Sequence, residues 1–367
     1  MILHSLATRH FRNLGEAEIV FHPRTNVVVG DNGQGKTNLL EAIYFLATTK
    51  SFRTPRTTNL VRRNEAALFV RGVVEAQGIA RTLSIGLDAQ TERRRELRIN
   101  GEKVALHKYV STLQLFAYSS ARLEILRGGP EERRRFLDRG IAGVRPQYLS
   151  DLTRYARALQ QRNALLQKGR GAITPSDLDV WDEELVRAGA PIIQARNEYT
   201  LALENEFRTI VTEHRYHVGS LAMRYTPSGF ERDGSPIRDV IHGLRRRELD
   251  AGFTMWGPHR DQLLFEVDQR PAHDLLSSGE VKMMVLFLKF AKMAIRRAHS
   301  DDAPLFLLDD VDAELDLGII ERLLGFLGDS VQLFTTTSKE PILGALPLAS
   351  HARISMRNGV VTATETR

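Results

Sequence analysis
Residues 26–43 read Asn-Val-Val-Val-Gly-Asp-Asn-Gly-Gln-Gly-Lys-Thr-Asn-Leu-Leu-Glu-Ala-Ile, and no other stretch constrains the fold as much. An apolar strand, Asn26 to Val29, leads into Gly-x-x-x-x-Gly-Lys-Thr, and a helix, Asn38 to Thr48, follows at once. That context separates a Walker A loop from an ordinary glycine turn. Gly30, Gly33 and Gly35, with Asp31, Asn32 and Gln34 between them, let the backbone curl until consecutive N–H groups face one anion. The positive end of the helix starting near Lys36 adds to them. Lys36 would reach the β and γ phosphates of ATP, and Thr37 would give its hydroxyl oxygen to Mg²⁺. Asn38 completes the ATP-binding run Gly30 to Asn38.

Two further elements belong with this loop. Pro304-Leu-Phe-Leu-Leu308 is a continuous apolar run, as in a strand buried on both faces, and it ends in Asp309-Asp310. Open α/β sheets bind ligands at that end of their strands. Asp309 is placed to hold Mg²⁺, directly or through water, and Asp310, pointing the other way, to act as general base on the attacking water. Upstream, Leu275-Leu-Ser277-Ser-Gly279-Glu280-Val-Lys282 opens a long apolar-faced helix, Gly279 to Ala298. A serine hydroxyl beside helix N-terminal N–H groups is a second anion site, and equally an ordinary helix cap.

The rest of the chain sorts into three parts. Short extended runs at Leu68 to Glu75, Arg81 to Asp88 and Arg94 to Ile99 fill the first, and Asn100-Gly101 marks a two-residue hairpin. From Glu131 to about His214 the period changes: Leu178, Trp181, Leu185, Ala188, Ile192, Ala195, Tyr199 and Ala202 alternate spacings of three and four, a heptad stripe. Tyr148, Leu152, Tyr155 and Leu159 repeat the spacing, and the Gly169 to Ser176 stretch offers a reversal between two helices. An antiparallel helical arm, bent at Pro191, is expected. Strands return at Leu264 to Val267, Leu305 to Leu308 and Val331 to Thr335, with a helix at Leu317 to Leu327. The chain therefore reads as an α/β head with a mixed sheet split by a helical insertion: 1–125 and 255–367 form the ATPase lobe and 126–254 the helical lobe.

Composition narrows the function. With 367 residues and no Cys, disulfide frameworks, thiolate zinc sites and Cys nucleophiles are excluded. No run approaches the ~20 apolar residues of a membrane span, and Met1 to His10 lacks a secretory pattern, so a soluble, cytoplasmic chain without membrane contact is expected. The net charge of +6 is uneven, +7 in 1–125, +3 in 126–254 and −4 in 255–367, and Arg outnumbers Lys 42 to 9. The guanidinium fork suits phosphate oxygens, which brings in nucleic acid as a partner. Arg53, Arg56, Arg62 and Arg63 in the basic third could grip DNA phosphates. A solvated basic loop accounts for them equally well.

The order Walker A, Ser-x-Gly-Glu, acidic strand, then Glu314-Leu-Asp316 resembles the ABC and SMC type of ATPase head. That resemblance implies that Ser277, Gly279 and Glu280 act in trans, closing over the γ phosphate bound by a second head. Within the class, the chain is similar to the RecF family of bacterial DNA replication and repair ATPases over most of its length. The likeness rests on His10-Phe-Arg12-Asn13, Val29 to Tyr44, Lys50-Ser-Phe-Arg53-Thr, Gly129-Pro-Glu-Glu-Arg-Arg-Arg-Phe-Leu-Asp138 and Gly257-Pro-His-Arg-Asp261. It implies an ABC/SMC-type head, an ATP-dependent homodimer, slow Mg²⁺-dependent hydrolysis stimulated by DNA, and preference for single-strand/double-strand junctions. It also implies work with RecO and RecR to place RecA on gapped DNA, and an Arg12 that touches nucleotide phosphates. Three places depart from the pattern, the first being the signature Ser277-Ser-Gly-Glu280-Val, with Glu where many relatives have Gln. Tyr118-Ser-Ser120-Ala121-Arg122-Leu123 stands where Pro-Glu-Asp-Leu is expected, and Thr335-Thr-Thr-Ser338 carries no His at the switch position.

A transporter nucleotide-binding subunit would share all three elements; the heptad arm and the basic first third speak against it. A non-hydrolysing, ATP-gated DNA scaffold is the other alternative. The His259-Arg260-Asp261 run has no Ser in a nucleophile elbow to serve, so it reads as a structural turn or a nucleotide-edge contact. Arg133-Arg-Arg135 reads as a solvated helix face, and Trp181 and Tyr199 as arm core.

Overall fold
Alternation of apolar and polar residues in the first third produces antiparallel strands that bury one face. The computed structural model describes residues 1–90, 95–118, 124–169, 173–213, 221–300, 302–310, 317–328, 330–338 and 350–366. Its first sheet runs β2-β1-β4-β5-β6-β7, with β1 (Ile2–Arg9), β2 (Ala17–Val20), β4 (Ala67–Ala76), β5 (Ile79–Asp88), β6 (Arg95–Ile99) and β7 (Glu102–Lys103). All its pairings are antiparallel. Along β4, Leu68, Val70, Val74 and Ala76 are buried while Phe69 and Arg71 are not. Asn100 and Gly101 both take positive φ, 51° and 83°, between the paired residues Ile99 and Glu102, as a two-residue hairpin requires.

The second sheet runs β15-β14-β3-β13-β12-β8, with β3 (Thr25–Val29), β8 (Leu115–Tyr118), β12 (Leu305–Leu308), β13 (Leu333–Thr337), β14 (His351–Arg357) and β15 (Val360–Thr366). Five strands are parallel and β15 is antiparallel at the edge, so the sheet is mixed, as expected. The Walker A helix α1 (Lys36–Thr48) is buried along nearly its whole length. Its Leu39, Leu40, Ile43, Phe45 and Leu46 share one core with Leu6, Val70 and Ile85 of the first sheet and Val28, Leu307 and Phe334 of the second. A helix apolar all round is the expected solution for that place. Gly72 lets α1 approach closely, since a Cβ on it would stand 2.6 Å from Leu46 Cδ2 and 3.1 Å from the Ser5 carbonyl oxygen. Helix α2 (Leu106–Thr112) also packs on α1.

The chain forms two compact units, Met1–Arg122 with Arg297–Arg367, and Leu123–Arg296. The second keeps residues 255–296, which the sequence pattern groups with the ATPase lobe. It contains α3 (Glu124–Arg127), α4 (Pro130–Val144), α5 (Tyr148–Leu166), α6 (Asp179–Glu213), α7 (Arg238–Ala251), α8 (Ala272–Leu275), α9 (Ser278–Arg297) and a sheet β11-β10-β9. In that sheet β9 is Leu221–Thr226, β10 Gln262–Val267 and β11 Arg270–Pro271. Strand β10 pairs with β9 and packs on α4, which ties these residues to the helical unit. Helix α6 runs through Pro191 and packs on α5, α4 and β9. The expected two-helix arm is therefore the spine of a packed body. In the first unit, α10 (Leu317–Leu327) lies between β12 and β13 in sequence.

Two of the blocks that carry the family resemblance meet inside the second unit. Arg196, 3% exposed, donates from Nε and Nη2 to the two Asp138 oxygens at 2.9 and 3.0 Å, and from Nη1 to Asp261 Oδ2 at 2.9 Å and Pro258 O at 2.6 Å. Tyr225 Oη also donates to Asp261. Burial pushes the Asp261 carboxyl up against these donors. His259 is held at about 4, mainly by burial, with its ring nitrogens on Tyr155 Oη and the Thr254 carbonyl. The His259-Arg260-Asp261 run is thus a structural turn. Arg133 and Arg134 also point inward, to the Leu263 and Asp261 carbonyls at 3.3 and 2.8 Å, and only Arg135 fits the solvated face expected of all three. A second buried arginine, Arg162, holds Asp182 and Glu248 at 2.6 and 2.7 Å. Buried charges persist only when paired in this way.

Candidate functional site
The phosphate loop leaves β3 and enters α1 with the glycines in the backbone states the loop needs: φ is 152° at Gly30, 81° at Gly33 and 105° at Gly35. A Cβ on Gly30 would stand 2.5 Å from the Met356 carbonyl oxygen, so β14 closes the outer side of the loop. Asp31, Asn32 and Gly33 form the exposed crest. Lys36 lies back across the loop and donates to the Gly30 and Asp31 carbonyls at 2.7 and 2.9 Å. It braces the turn from which it would reach a phosphate.

Parallel pairing of β12 with β13, and of β13 with β3, brings the acidic strand end to the loop. Thr37 Oγ1 donates to Asp309 Oδ1 at 3.0 Å, across 272 residues of sequence. A second hydroxyl, Thr336 Oγ1, donates to the same oxygen at 2.8 Å and accepts the Asp310 N–H at 2.7 Å. Burial pushes the Asp309 carboxyl above its ordinary range; the two hydroxyls pull it back and the neighbouring Asp310 charge pushes it up again. Asp310 has φ 54°, a left-handed conformation that costs a non-glycine residue and concentrates at functional sites. Thr335 to Thr337 lie inside β13 rather than after it, because the strand runs two residues beyond its expected end.

Among the described residues no three His, Asp or Glu side chains converge as a metal cage. One hydroxyl and one carboxylate beside a phosphate cradle are nevertheless the donor set Mg²⁺ takes, since it completes its shell with water and substrate phosphates. The residues present fit that ion.

Arg12 packs beside α1, where its Nε and Nη2 donate to the two Glu41 oxygens at 2.7 and 3.0 Å. Glu41 is fully buried and also accepts Ser51 Oγ. Arg53 Nη1 donates to Asn38 Oδ1 at 2.8 Å and lies 3.7 Å from Glu41, while Asn38 Nδ2 donates to Asn13 Oδ1 at 2.6 Å. The Ser51-Phe52-Arg53 block thus dresses the Walker A helix, with Phe52 edge-on to Tyr44. Of the four arginines suggested for DNA, Arg62 turns inward to the Arg12 and Leu14 carbonyls, Arg53 is committed to α1, and only Arg56 and Arg63 stand exposed without such ties.

Three contributors escaped the sequence reading. Glu41 had a signal, an acid amid the apolar run Leu39-Leu40-Ala42-Ile43. Thr336 had a weak one, since the run Thr335-Thr-Thr-Ser338 stands out for lacking a His and not for the hydroxyl it carries. The third is the hairpin turn Asn358-Gly359, whose N–H groups donate to Gln34 Oε1 and Gln34 O at 2.6 and 2.8 Å. Holding the Gln34 carbonyl outward fixes the planar peptide, so the Gly35 N–H on it faces the other way.

In the second unit, Ser277 caps α9: Glu280 N–H donates to Ser277 Oγ at 3.3 Å and Ser277 N–H to Glu280 Oε2 at 2.8 Å, a capping box. Those bonds hold the Glu280 carboxyl below its usual range. The Ser277 hydroxyl only accepts in this arrangement, so its proton remains to donate. Gly279 follows in the first turn, with open space where a Cβ would stand. The expected elements at Ser120-Ala121-Arg122 and Glu314-Leu-Asp316 lie outside the described residues.

A family model described as the RecF/RecN/SMC N terminal domain matches residues 2–362. A protein of Streptococcus pneumoniae (strain CGSP14) named DNA replication and repair protein RecF is 35% identical over 353 residues, 95% of each chain. The chain belongs to the RecF family. A RecF of Bacillus cereus is 31% identical over 370 residues, 98% of each chain. A solved structure described as the recombination mediator protein RecF-ATPrS in the RecFOR pathway superposes with a TM-score of 0.87, at 28% identity over 98% of this chain and 97% of that one. An SMC head bound to the C-winged helix domain of ScpA, at 16% identity and TM-score 0.54, shares the fold. The α/β architecture is that of an ABC/SMC-type ATPase head. No helix among the described residues is long and apolar enough to cross a membrane.

Proposed function
We propose that this RecF-family chain binds ATP with Mg²⁺ between the phosphate loop and the end of β12, dimerises on ATP, and hydrolyses it slowly as a timer for DNA binding at single-strand gaps. The observation that carries this reading is the Thr37–Asp309 contact, which joins loop and acidic strand into one Mg²⁺-type site beside Lys36. Mg²⁺ held there would neutralise charge on the β and γ oxygens. Lys36 and the loop N–H groups bind and orient the phosphates, Arg12 adds a cation, Asp309 orients the metal side, and Asp310 accepts the proton of the attacking water. Ser277, Gly279 and Glu280 of a second copy would complete the site, because the free hydroxyl proton of Ser277 at the N-terminus of α9 suits a γ phosphate.

Relatives described as RecF in the RecFOR pathway support DNA as the partner, with RecR, RecO and RecA as the proteins served. Arg56 and Arg63 are the exposed candidates for DNA phosphate contact. A cytoplasmic location follows from that role.

Sedimentation of the purified chain with and without ATP and gapped DNA tests the reading: a dimer forms only with ATP. Ser277→Arg should bind ATP with parent-like affinity, since its own loop is intact, yet form no ATP-dependent dimer. Dimers of this variant on ATP would remove the composite site from the account.

A further inference from the structure
The switch position, where the sequence offers no His, is occupied by a hydroxyl that bridges both acids of the site. Thr336 sits fully buried on β13, paired with Val28 of β3. Its oxygen donates to Asp309 Oδ1 at 2.8 Å and accepts from the Asp310 N–H at 2.7 Å. One atom thereby fixes two things. It directs Oδ1 of Asp309 toward the strand side, where Thr37 meets it from the loop, and so sets how the carboxylate presents itself to the loop. It also anchors the backbone of Asp310 at the one residue of the pair held at positive φ, a conformation that persists only where its surroundings enforce it.

We infer that Thr336 is the positioning residue of this site, aligning Asp309 for the metal-bound phosphates and Asp310 for the attacking water through a single bridging hydroxyl. The inference rests on the proposed ATP reading. Side chains that orient a metal-side ligand are typically worth about 10 to 100-fold in affinity or activity. Only a group that both donates and accepts can make this bridge, and a hydroxyl does both from one atom.

The test compares Thr336→Val, of similar shape without the hydroxyl, and Thr336→Ser, which keeps it, beside the parent and Lys36→Ala. Two quantities are read: steady-state phosphate release, and the affinity of a fluorescent ATP analogue with Mg²⁺ and with EDTA. Thr336→Val should lose about 10 to 100-fold in kcat, and most of the gain in nucleotide affinity that Mg²⁺ gives, with its EDTA affinity within about threefold of the parent. Thr336→Ser should restore both. Parent-like turnover and parent-like Mg²⁺ gain in Thr336→Val overturn the inference while leaving the ATP reading intact. Equal loss in the Ser and Val variants overturns it too, since packing and not the hydroxyl would then matter. Failure of the parent to bind nucleotide better than Lys36→Ala sinks the ATP reading itself.

Discussion
Lys36→Ala weakens ATP binding by about a hundredfold or more and abolishes the ATP-dependent dimer, while the fold survives. Each charge-assisted hydrogen bond from the ammonium to a phosphate is worth about 1.5 to 3 kcal/mol, and two of them at the lower figure already give about two decades in Kd. The unliganded cost is smaller. Lys36 donates to two carbonyls of its own loop, and both lie beside an exposed crest where water can replace it, so about 1 to 2 kcal/mol of stability is at stake. Titration calorimetry with ATP, read beside the thermal midpoint of the same preparation, separates the two. Parent-like ATP affinity in this variant would remove the phosphate-loop reading.

Asp310→Asn should leave ATP affinity within about threefold of the parent and lower turnover by 10² to 10⁴-fold, the typical value of a general base. The substitution keeps volume and hydrogen-bonding capacity, and the Asp310 N–H bond to Thr336 involves only backbone on this side, so the left-handed turn remains. Asn is also among the residues that tolerate positive φ. The ATP-bound dimer should then accumulate and leave DNA more slowly. Asp309→Asn behaves differently, because it removes charge from the oxygen that both Thr37 and Thr336 address, and it weakens binding of Mg²⁺ with ATP itself. Single-turnover phosphate release and the lifetime of the dimer on DNA distinguish the two variants. Parent-like values of both for Asp310→Asn would favour the non-hydrolysing scaffold.

The residues that announced themselves in sequence are those whose chemistry demands a fixed local spacing. The loop Gly30 to Thr37 works through its own backbone, so its pattern is contiguous, and the apolar run Leu305 to Leu308 needs no partner to be read as a buried strand. What stayed hidden is assembled across sequence. Thr336 matters because parallel pairing of β12 and β13 sets its hydroxyl against Asp309, and a Thr run looks the same wherever it stands. Asn358-Gly359 acts through main-chain N–H groups, which no residue type advertises. Arg62 looked like a DNA contact because a basic loop shows its charge and not its fold; its guanidinium in fact satisfies two carbonyls of the Arg12 turn. The heptad stripe from Leu178 to Ala202 located α6 but not its surroundings. A helix that packs on two other helices and a sheet strand shows the same apolar period as one that pairs with a single neighbour.

In the proposed dimer each ATP is enclosed by the phosphate loop of one copy and the Ser277 element of another. Mixing two variants that are defective in different halves of that site probes this enclosure. Lys36→Ala and Ser277→Arg are each expected to sediment as monomers with ATP. In a mixed dimer, however, the intact loop of the Ser277→Arg chain would face the intact Ser277 of the Lys36→Ala chain. Sedimentation of the equimolar mixture with Mg²⁺ and ATP should therefore restore a dimer with one working site, and phosphate release up to about half the parent rate per dimer if its two sites act independently. A mixture that stays monomeric and inactive, although Ser277→Arg binds ATP normally, would show that the loop of one copy and the Ser277 element of another do not share a site.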